Sequence, residues 1–489
     1  MWQKCYIRPI PKSSLSDKRI PTNYRGISLL SNIYKLYASI INARLTTFLE
    51  QNGKIVEEQN GFRQLRACID HLFVISSIIK NRRIEGKDTY ACFVDMRRAF
   101  DVIDRTSLLY KLSTVGVCKN LYDSIAVIYA NTECSVMIGE YLTDWFQTLG
   151  GVKQGDNLSP KIFSVYINDL ATELNSMNLG IQVDDTFVNI LLYADDIVIL
   201  AESEQNLQTM MDHIHEWCRK WRMSINAMKT NVVHFRKASS KRTDFKFSCG
   251  PHDIIVVEKY KYLGCVLEET LNFSHTANML ADSASRATGA IVTKCKNNHL
   301  GYQTFNKLYH SCVTPIMDYA AGVWGYSNYD RPNTVQNRAL RSFLGVHRYA
   351  SNVVIQGDVG WDFPVVRRRL QMIKLLQRIM KMDDSRLTKK VLMWDWKHKG
   401  RTWSYNVRSI LRMADVNLNP SSKIEDLDYD YAIKTVRCKL MEQEISKWEF
   451  DKGKQSKLRL YTKLKDSYST ELYVSKNMSR SCRSFIAQL

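Results

Sequence analysis

No two of the 12 cysteines are separated by two residues, so the C-x-x-C element shared by many structural zinc sites and thioredoxin-type redox centres is missing. Unlinked, reduced and half-buried thiols of an intracellular protein fit this usage. No apolar run reaches the roughly 18 to 20 residues that a membrane span needs, and the nearest candidate is broken by Asp195 and Asp196. Nothing at Met1 resembles a secretory signal. The chain opens on Trp2-Gln3-Lys4-Cys5-Tyr6-Ile7-Arg8-Pro9-Ile10-Pro11-Lys12, which reads as the interior of a longer polyprotein. Residues 347–489 carry basic helical segments and tryptophans, but no low-complexity tract and no catalytic pattern. Acidic residues are the minority charge: 69 Lys and Arg face 49 Asp and Glu, for a net charge of +20 and a pI of about 9.3. That excess favours a polyanionic partner bound in a salt-sensitive way, although charge alone fits a ribosomal or membrane-surface protein equally well.

With 45% hydrophobic and 24% charged residues over 489 positions, the chain can bury more than one core, and two to four domains are expected. The stretch Leu191-Leu192-Tyr193-Ala194-Asp195-Asp196-Ile197-Val198-Ile199-Leu200 organises the rest. Residues 187–200 would read as buried sheet, yet two carboxylates, the costliest side chains to desolvate, sit among them. A β-hairpin whose tight turn lifts both acids out of the apolar layer resolves the conflict. Two carboxylates at ~4 Å repel by about 4 kcal/mol at an effective dielectric of ~20. A cation belongs there, and adjacent oxygen ligands on a rigid turn suit a hard divalent ion such as Mg²⁺. For an isolated Asp-Asp pair, an exposed acidic turn is the plainer account.

A second segment changes that balance. Tyr90-Ala91-Cys92-Phe93-Val94-Asp95 is another apolar strand ending in an acid. Side by side in one sheet, the two strands bring Asp95 against Asp195. Three carboxylates from neighbouring strands make a two-metal site for in-line phosphoryl transfer.

Periodicity places the other segments. After a polar loop at 13–24, Leu29, Ile33, Tyr37, Ile40, Ile41, Leu45 and Phe48 form one apolar helical stripe, and a second helix is expected over 68–81. A strand over 89–95 precedes a helix over 104–113, and 135–138 and 142–148 alternate about Gly139-Glu140 as a hairpin. A helix begins near Leu158-Ser159-Pro160, with Phe163, Tyr166, Ile167 and Leu170 inward. In 204–222, Leu207, Met210, Met211, Ile214, Trp217, Cys218 and Trp221 recur at helical spacing. His213, His215 and Cys218 therefore read as parts of an amphipathic helix, since no second ligand pair follows at zinc spacing. Strands are expected at 231–236, near 253–257 and over 259–266, then helices over 276–296 and 303–316.

Seven short motifs follow one another: Asn23-Tyr24-Arg25-Gly26-Ile27-Ser28-Leu29-Leu30, Gln59-Asn60-Gly61-Phe62-Arg63, Phe93-Val94-Asp95 with Ala99-Phe100-Asp101, Gly151-Val152-Lys153-Gln154-Gly155-Asp156-Asn157-Leu158-Ser159-Pro160, Tyr193-Ala194-Asp195-Asp196, Asn226 with Lys229-Thr230, and Tyr262-Leu263-Gly264. In this order they resemble the reverse transcriptases of non-LTR (LINE-type) retrotransposons over about residues 2–267. Each alone is weak, whereas seven in one order across half the chain are specific. Thr314-Pro315-Ile316-Met317-Asp318-Tyr319 through Val323-Trp324-Gly325, and Ala339-Leu340-Arg341-Ser342-Phe343-Leu344-Gly345-Val346, also look like segments of these elements.

The resemblance implies an α+β right-hand polymerase: fingers in 1–88, a ferredoxin-like palm with an antiparallel sheet in 89–268 and a fingers hairpin inserted near 115–150, a helical thumb in 269–346, and a basic, mainly helical region in 347–489. It implies an RNA-directed DNA polymerase that adds dNTPs to the 3′-hydroxyl of a DNA primer on an RNA template with two Mg²⁺ ions, or Mn²⁺ in their place. No membrane partner is expected, and a nuclear location is implied, with the cytoplasm as the other intracellular possibility. By the same resemblance Asp95, Asp195 and Asp196 hold the metals, with the Met96 carbonyl as a further ligand. Arg25 and Arg63 approach the triphosphate, where planar guanidinium groups hold phosphate oxygens in pairs; a salt-bridged arginine is the competing account. Phe100 is a steric gate that leaves no room for a 2′-hydroxyl, and separates this reading from a viral RNA-dependent RNA polymerase. Gln154 and Gly155 floor the nucleotide and template pocket, the glycines of that motif letting backbone approach a ligand, with a helix-capping turn as a competing account that can hold at the same time. Lys229 is the acid for departing pyrophosphate, or a solvated lysine before a strand. Tyr262, Leu263 and Gly264 form the primer grip.

Three departures stand out. Arg98 replaces the lysine usual before Ala-Phe-Asp, no apurinic-type endonuclease precedes Met1, and no Cys/His cluster precedes Leu489. A fragment truncated at both ends is therefore expected. Two other functions compete: a catalytically inactive or domesticated remnant that binds nucleic acid, and a group II intron maturase or other cellular reverse transcriptase. Arg367-Arg368-Arg369, Trp394, Trp396 and Trp403 are candidates for stacking on exposed bases, although tryptophan is more often core.

Overall fold

Thr89–Asp95 is buried along its length up to the terminal acid, which a strand tolerates only when both sheet faces are covered. A computed structural model describes residues 3–13, 17–298, 300–420, 428–476 and 478–488, without the side chains of 296–298. Residues 14–16 of the polar loop, and Trp2 and Leu489, lie outside these residues. The chain divides into two compact units, Met1–His71 with Gly86–Leu263, and Leu72–Glu85 with Gly264–Leu489.

The first unit is built on a six-stranded sheet in the order Phe247–Cys249, His252–Val256, Asn231–Phe235, Thr89–Asp95, Asp196–Ala201, Ile190–Tyr193. Asn231–Phe235 runs parallel to His252–Val256, and the other pairs are antiparallel. Strand alternation sends Tyr90, Cys92 and Val94 into one core with Leu108, Phe163, Tyr166 and Trp217. Those partners lie on the helices Arg105–Val115, Ser159–Ser176 and Glu204–Lys220. Phe93 points the other way, stacked on Tyr260 at 4.4 Å. Strand, helices, hairpin, helix and strand thus follow one another along the chain through this sheet and the helices that back it.

A second sheet in this unit has the order Tyr24–Leu29, Lys4–Pro11, Glu133–Ile138, Tyr141–Leu142, and Phe146–Gln147 also pairs with Glu133–Ile138. The hairpin about Gly139-Glu140 closes as expected, with Ile138 opposite Tyr141, but its return strand is interrupted between Leu142 and Phe146. Lys4–Pro11 lies parallel to Glu133–Ile138 and antiparallel to Tyr24–Leu29, two strands that periodicity does not predict. The helix Asn32–Gln51 buries Tyr34, Ala38, Ile41, Leu45 and Leu49. Ile33 and Ile40 of the expected stripe are instead 65% and 46% exposed, because the core face is rotated by about one position. The expected strand over 259–266 is two strands, Lys259–Tyr262 and Cys265–Glu268, broken by left-handed Leu263 (φ 43°) and Gly264 (φ 81°).

The second unit is mainly helical. Ser274–Asn298, Tyr302–Cys312 and Asp330–Leu344 contribute Ala281, Phe305, Tyr309, Leu340 and Phe343 to one core with Trp361. Trp403 is core rather than a base-stacking surface: its ring lies 4.9 Å from that of Phe73, and its Nε1–H donates to the Gly322 carbonyl at 2.8 Å. Two of the three consecutive arginines are likewise not a base-stacking surface. Arg368 is fully buried, and Arg367 donates to Asp318 at 3.0 Å.

Candidate active site

The Ile190–Tyr193 and Asp196–Ala201 strands are joined by the two-residue turn Ala194-Asp195, with Tyr193 opposite Asp196. On its other side Asp196 lies opposite Asp95 in the sheet register. Alternation places Asp95 and Asp196 on the Phe93 face, away from the helices, and Asp195 caps the same end from the turn. The sequence thus converts two apolar strands into a platform that ends in three acids.

Their electrostatics agree with that crowding. Burial, and then the charge of Asp95, raise the Asp195 carboxyl above its usual range, with Arg25 opposing. Asp196 is pushed up to about 6 by desolvation and by the charges of Asp195 and Asp95, although the residue as a whole stays exposed. Among the described residues no three His, Cys, Asp or Glu side chains already stand at metal-holding spacing. The donor set is nevertheless the all-oxygen one that hard divalent ions take, and a cation there would relieve the mutual repulsion.

Neutral residues hold the acids in place. Asn226 donates from its side chain to Asp95 Oδ2 at 2.9 Å, and its backbone N–H to the Asp95 carbonyl at 2.8 Å. The Asp95 N–H donates to Thr230 Oγ1 at 3.2 Å. Met96, the expected carbonyl ligand, is buried and bridged to Ile225. On the hairpin side, Gln59 Oε1 accepts the N–H groups of Gly61 at 2.7 Å and Ala194 at 3.1 Å. The sequence carried Gln59, Gly61 and Asn226 as motif letters without a role; an amide beside an acidic turn was the only available signal.

The nucleotide side is assembled from three segments. Arg25 is exposed and near enough to Asp195 to lower its carboxyl. Its strand is tied to the Gly151-Val152-Lys153-Gln154-Gly155 loop by a Ser28 N–H donation to the Gln154 carbonyl at 2.7 Å. Gln154 Nε2 donates to Asp101 Oδ1 at 2.9 Å. The glycines of this loop serve backbone packing: a Cβ on Gly151 would lie 2.6 Å from the Asp101 carbonyl, and one on Gly155 (φ 101°) 3.2 Å from that of Ser28. The helix-capping account finds no side-chain cap at Leu158. Phe100 is braced by Phe163, stacked at 4.5 Å, and meets the edge of Phe62 at 6.4 Å, a second aromatic that the motif contained but sequence reading left without a role.

Not every expected residue is brought there. Arg63 is committed elsewhere: it donates to both Glu50 carboxylate oxygens at 3.0 and 2.7 Å, and to the carbonyls of Val56 and Gln59 at 2.7 and 3.1 Å. It locks the loop that carries Gln59. Lys229 is exposed, its N–H donating to the Asn226 carbonyl at 3.0 Å. Tyr262 is buried under Phe93 at 5.4 Å, with its hydroxyl 3.4 Å from His71 Nδ1. Leu263 ends the first unit and Gly264 opens the second.

A helix-backed sheet that sets a strand ending in one carboxylate beside a hairpin carrying two more is an all-oxygen platform of the kind that suits hard divalent ions. The family profile described as reverse transcriptase (RNA-dependent DNA polymerase) matches residues 10–267, more than half of the sequence. The chain belongs to that family, whose members bind nucleic-acid templates and generally use divalent metal ions. It is related to the enzymes of non-LTR retrotransposons. It is 26% identical over 392 residues to the RNA-directed DNA polymerase from mobile element jockey of Drosophila melanogaster, covering 77% of this chain and 42% of that protein. It is 25% identical over 374 residues to the probable RNA-directed DNA polymerase from transposon BS of the same species, covering 73% of this chain and 40% of that protein. The chain therefore spans about two fifths of the length of these relatives. Among solved structures, apo telomerase from Candida tropicalis superposes with a TM-score of 0.43 at 12% identity, covering 91% of this chain and 68% of that one. No described helix is long and apolar enough to cross a membrane.

Proposed function

We propose that this chain is the polymerase of a non-LTR retrotransposon, adding dNTPs to a DNA primer on an RNA template. The register that sets Asp95 directly opposite Asp196, with Asp195 on the adjoining turn, carries the reading. Asp95, Asp195 and Asp196, with the Met96 carbonyl, would hold two divalent ions, which when bound lower the pKa of the primer hydroxyl and neutralise the β- and γ-phosphates. Asn226 keeps the Asp95 carboxylate aimed into the site. Arg25, the exposed cation nearest in effect to Asp195, binds the triphosphate as a planar donor. Arg63 acts one step back, by holding the Gln59 loop. Phe100, fixed between Phe163 and Phe62, excludes a 2′-hydroxyl, and Gln154, oriented by Asp101, lies under the base.

Primer extension on RNA and DNA templates with Mg²⁺ tests the proposal. Asp195→Asn is expected to cut extension at least ~10³-fold, about 4 kcal/mol of barrier, while template binding followed by fluorescence anisotropy stays near wild type. An unmutated chain that binds the template but never extends the primer would favour an inactive, nucleic-acid-binding remnant.

A further inference from the structure

We propose that Gln59 is the positioning residue that sets the carboxylate turn, its side-chain oxygen acting as the fixed point on which Ala194 and Gly61 are both hung. The inference rests on the reading of Asp195 as a working carboxylate. Four observations converge on it. Gln59 is completely buried, and its Oε1 accepts one N–H from its own loop and one from the turn, 135 residues away. The loop is zipped to the hairpin strand on both sides of Gln59: the Asn60 N–H donates to the Leu192 carbonyl, and the Leu192 N–H to the Glu58 carbonyl, each at 2.9 Å. A Cβ at Gly61 would fall 2.3 Å from the Ala194 nitrogen and 3.0 Å from the Tyr193 carbonyl carbon, so the loop is pressed onto the turn's backbone. Ala194 itself has φ 58°, a left-handed conformation that an alanine keeps only when its surroundings impose it.

The chemistry explains why the residue is glutamine. Two convergent N–H donors need one acceptor with two free lone pairs, and a buried orphan donor is costly. A glutamate would meet that need, but would add a further negative charge beside acids that already repel. An apolar side chain of the same size would strand both donors. Gln59 Nε2 is buried and unpartnered among the described residues, so the oxygen's two bonds, not the nitrogen, fix the amide's orientation.

Hydrogen exchange at the Ala194 amide of the full chain, read beside extension kinetics, decides the matter. In the volume-conserving Gln59→Met, Ala194 exchange is expected to rise at least ~10-fold, with Cys92 and Phe93 in the neighbouring strand unchanged. In Gln59→Glu, which retains the acceptor, protection at Ala194 returns. Kinetically, Gln59→Met should lower kcat by up to ~10²-fold, the scale of a misplaced reacting group, and leave the KM for dNTP within about threefold. Unchanged exchange at Ala194, faster exchange spread equally over Thr89–Asp95, or a defect confined to KM would each overturn the clamp. If the unmutated chain extends nothing, the exchange result still decides the clamp, and the failure falls on the polymerase reading alone.

Discussion

Two hairpin turns in the first unit share a backbone design and differ in everything around it. Ile138 faces Tyr141 across Gly139-Glu140, and Tyr193 faces Asp196 across Ala194-Asp195. In both, the first turn residue has positive φ, 63° for Gly139 and 58° for Ala194. A Cβ on Gly139 would meet nothing within 4 Å, and Tyr141 beside it is 83% exposed. Ala194 is buried, hydrogen-bonded from outside and covered by a neighbouring loop. One turn obtains its shape from a glycine's intrinsic freedom, the other from tertiary contact. The glycine that the second turn requires sits across the contact, at Gly61. A structural turn and the turn proposed to do chemistry are thus told apart by what touches them.

The contrast is broken most severely at Gly61. Gly61→Val forces a branched side chain into the Ala194 backbone, and is expected to abolish extension and destabilise the first unit by about 3 kcal/mol or more; thermal unfolding and primer extension read the two effects. Next comes the pocket wall. Phe100→Val should lower the preference for dNTP over rNTP, as a ratio of kcat/KM values, by roughly 10- to 200-fold, the range for a modest change of pocket volume; an unchanged ratio removes the gate.

Asp196→Asn probes stability rather than chemistry. Because the folded protein holds the Asp196 proton up to about 6, against an ordinary 3.8, this group's contribution to stability is fully present below about 3.8 and is lost as pH rises through about 6. Without divalent ions, the Asn variant should therefore be more stable than wild type at pH 7.5 by about 1 kcal/mol, after allowance for solvent screening, and no more stable at pH 3.5. Urea titrations at the two pH values give the difference. Gly139→Ala closes the series, costing about 1 kcal/mol for its positive φ and leaving extension unchanged. Were it to impair extension as much as Gly61→Val, the distinction between the two turns would collapse.

The acids were legible in sequence because each contradicts its own neighbourhood: a carboxylate that ends an apolar run is a conflict visible without any partner. The helices over Arg105–Val115, Ser159–Ser176 and Glu204–Lys220 follow from periodicity for the same local reason. What stayed illegible is non-local. The roles of Gln59 and Asn226 exist only through contacts with residues 135 and 131 positions away, and Lys4–Pro11 becomes a strand only by pairing with Glu133–Ile138. Cations are the hardest to place, because a positive charge does not announce its counterpart. Arg63 reads as either a phosphate ligand or a salt-bridged arginine, and it pairs with Glu50; Arg368 reads only as part of a basic helical region and is fully buried.

The pairing of Asp95 with Asp196 makes the spacing of the acids a matter of whole residues. Sliding Thr89–Asp95 by one position would turn Asp95 toward the helices and present Val94 or Met96 beneath the turn. Substitutions can therefore tune this centre by degrees, but a single residue inserted between Thr89 and Asp95 erases it in one step. Length changes that preserve copying should accordingly gather in the loops and spare these two strands.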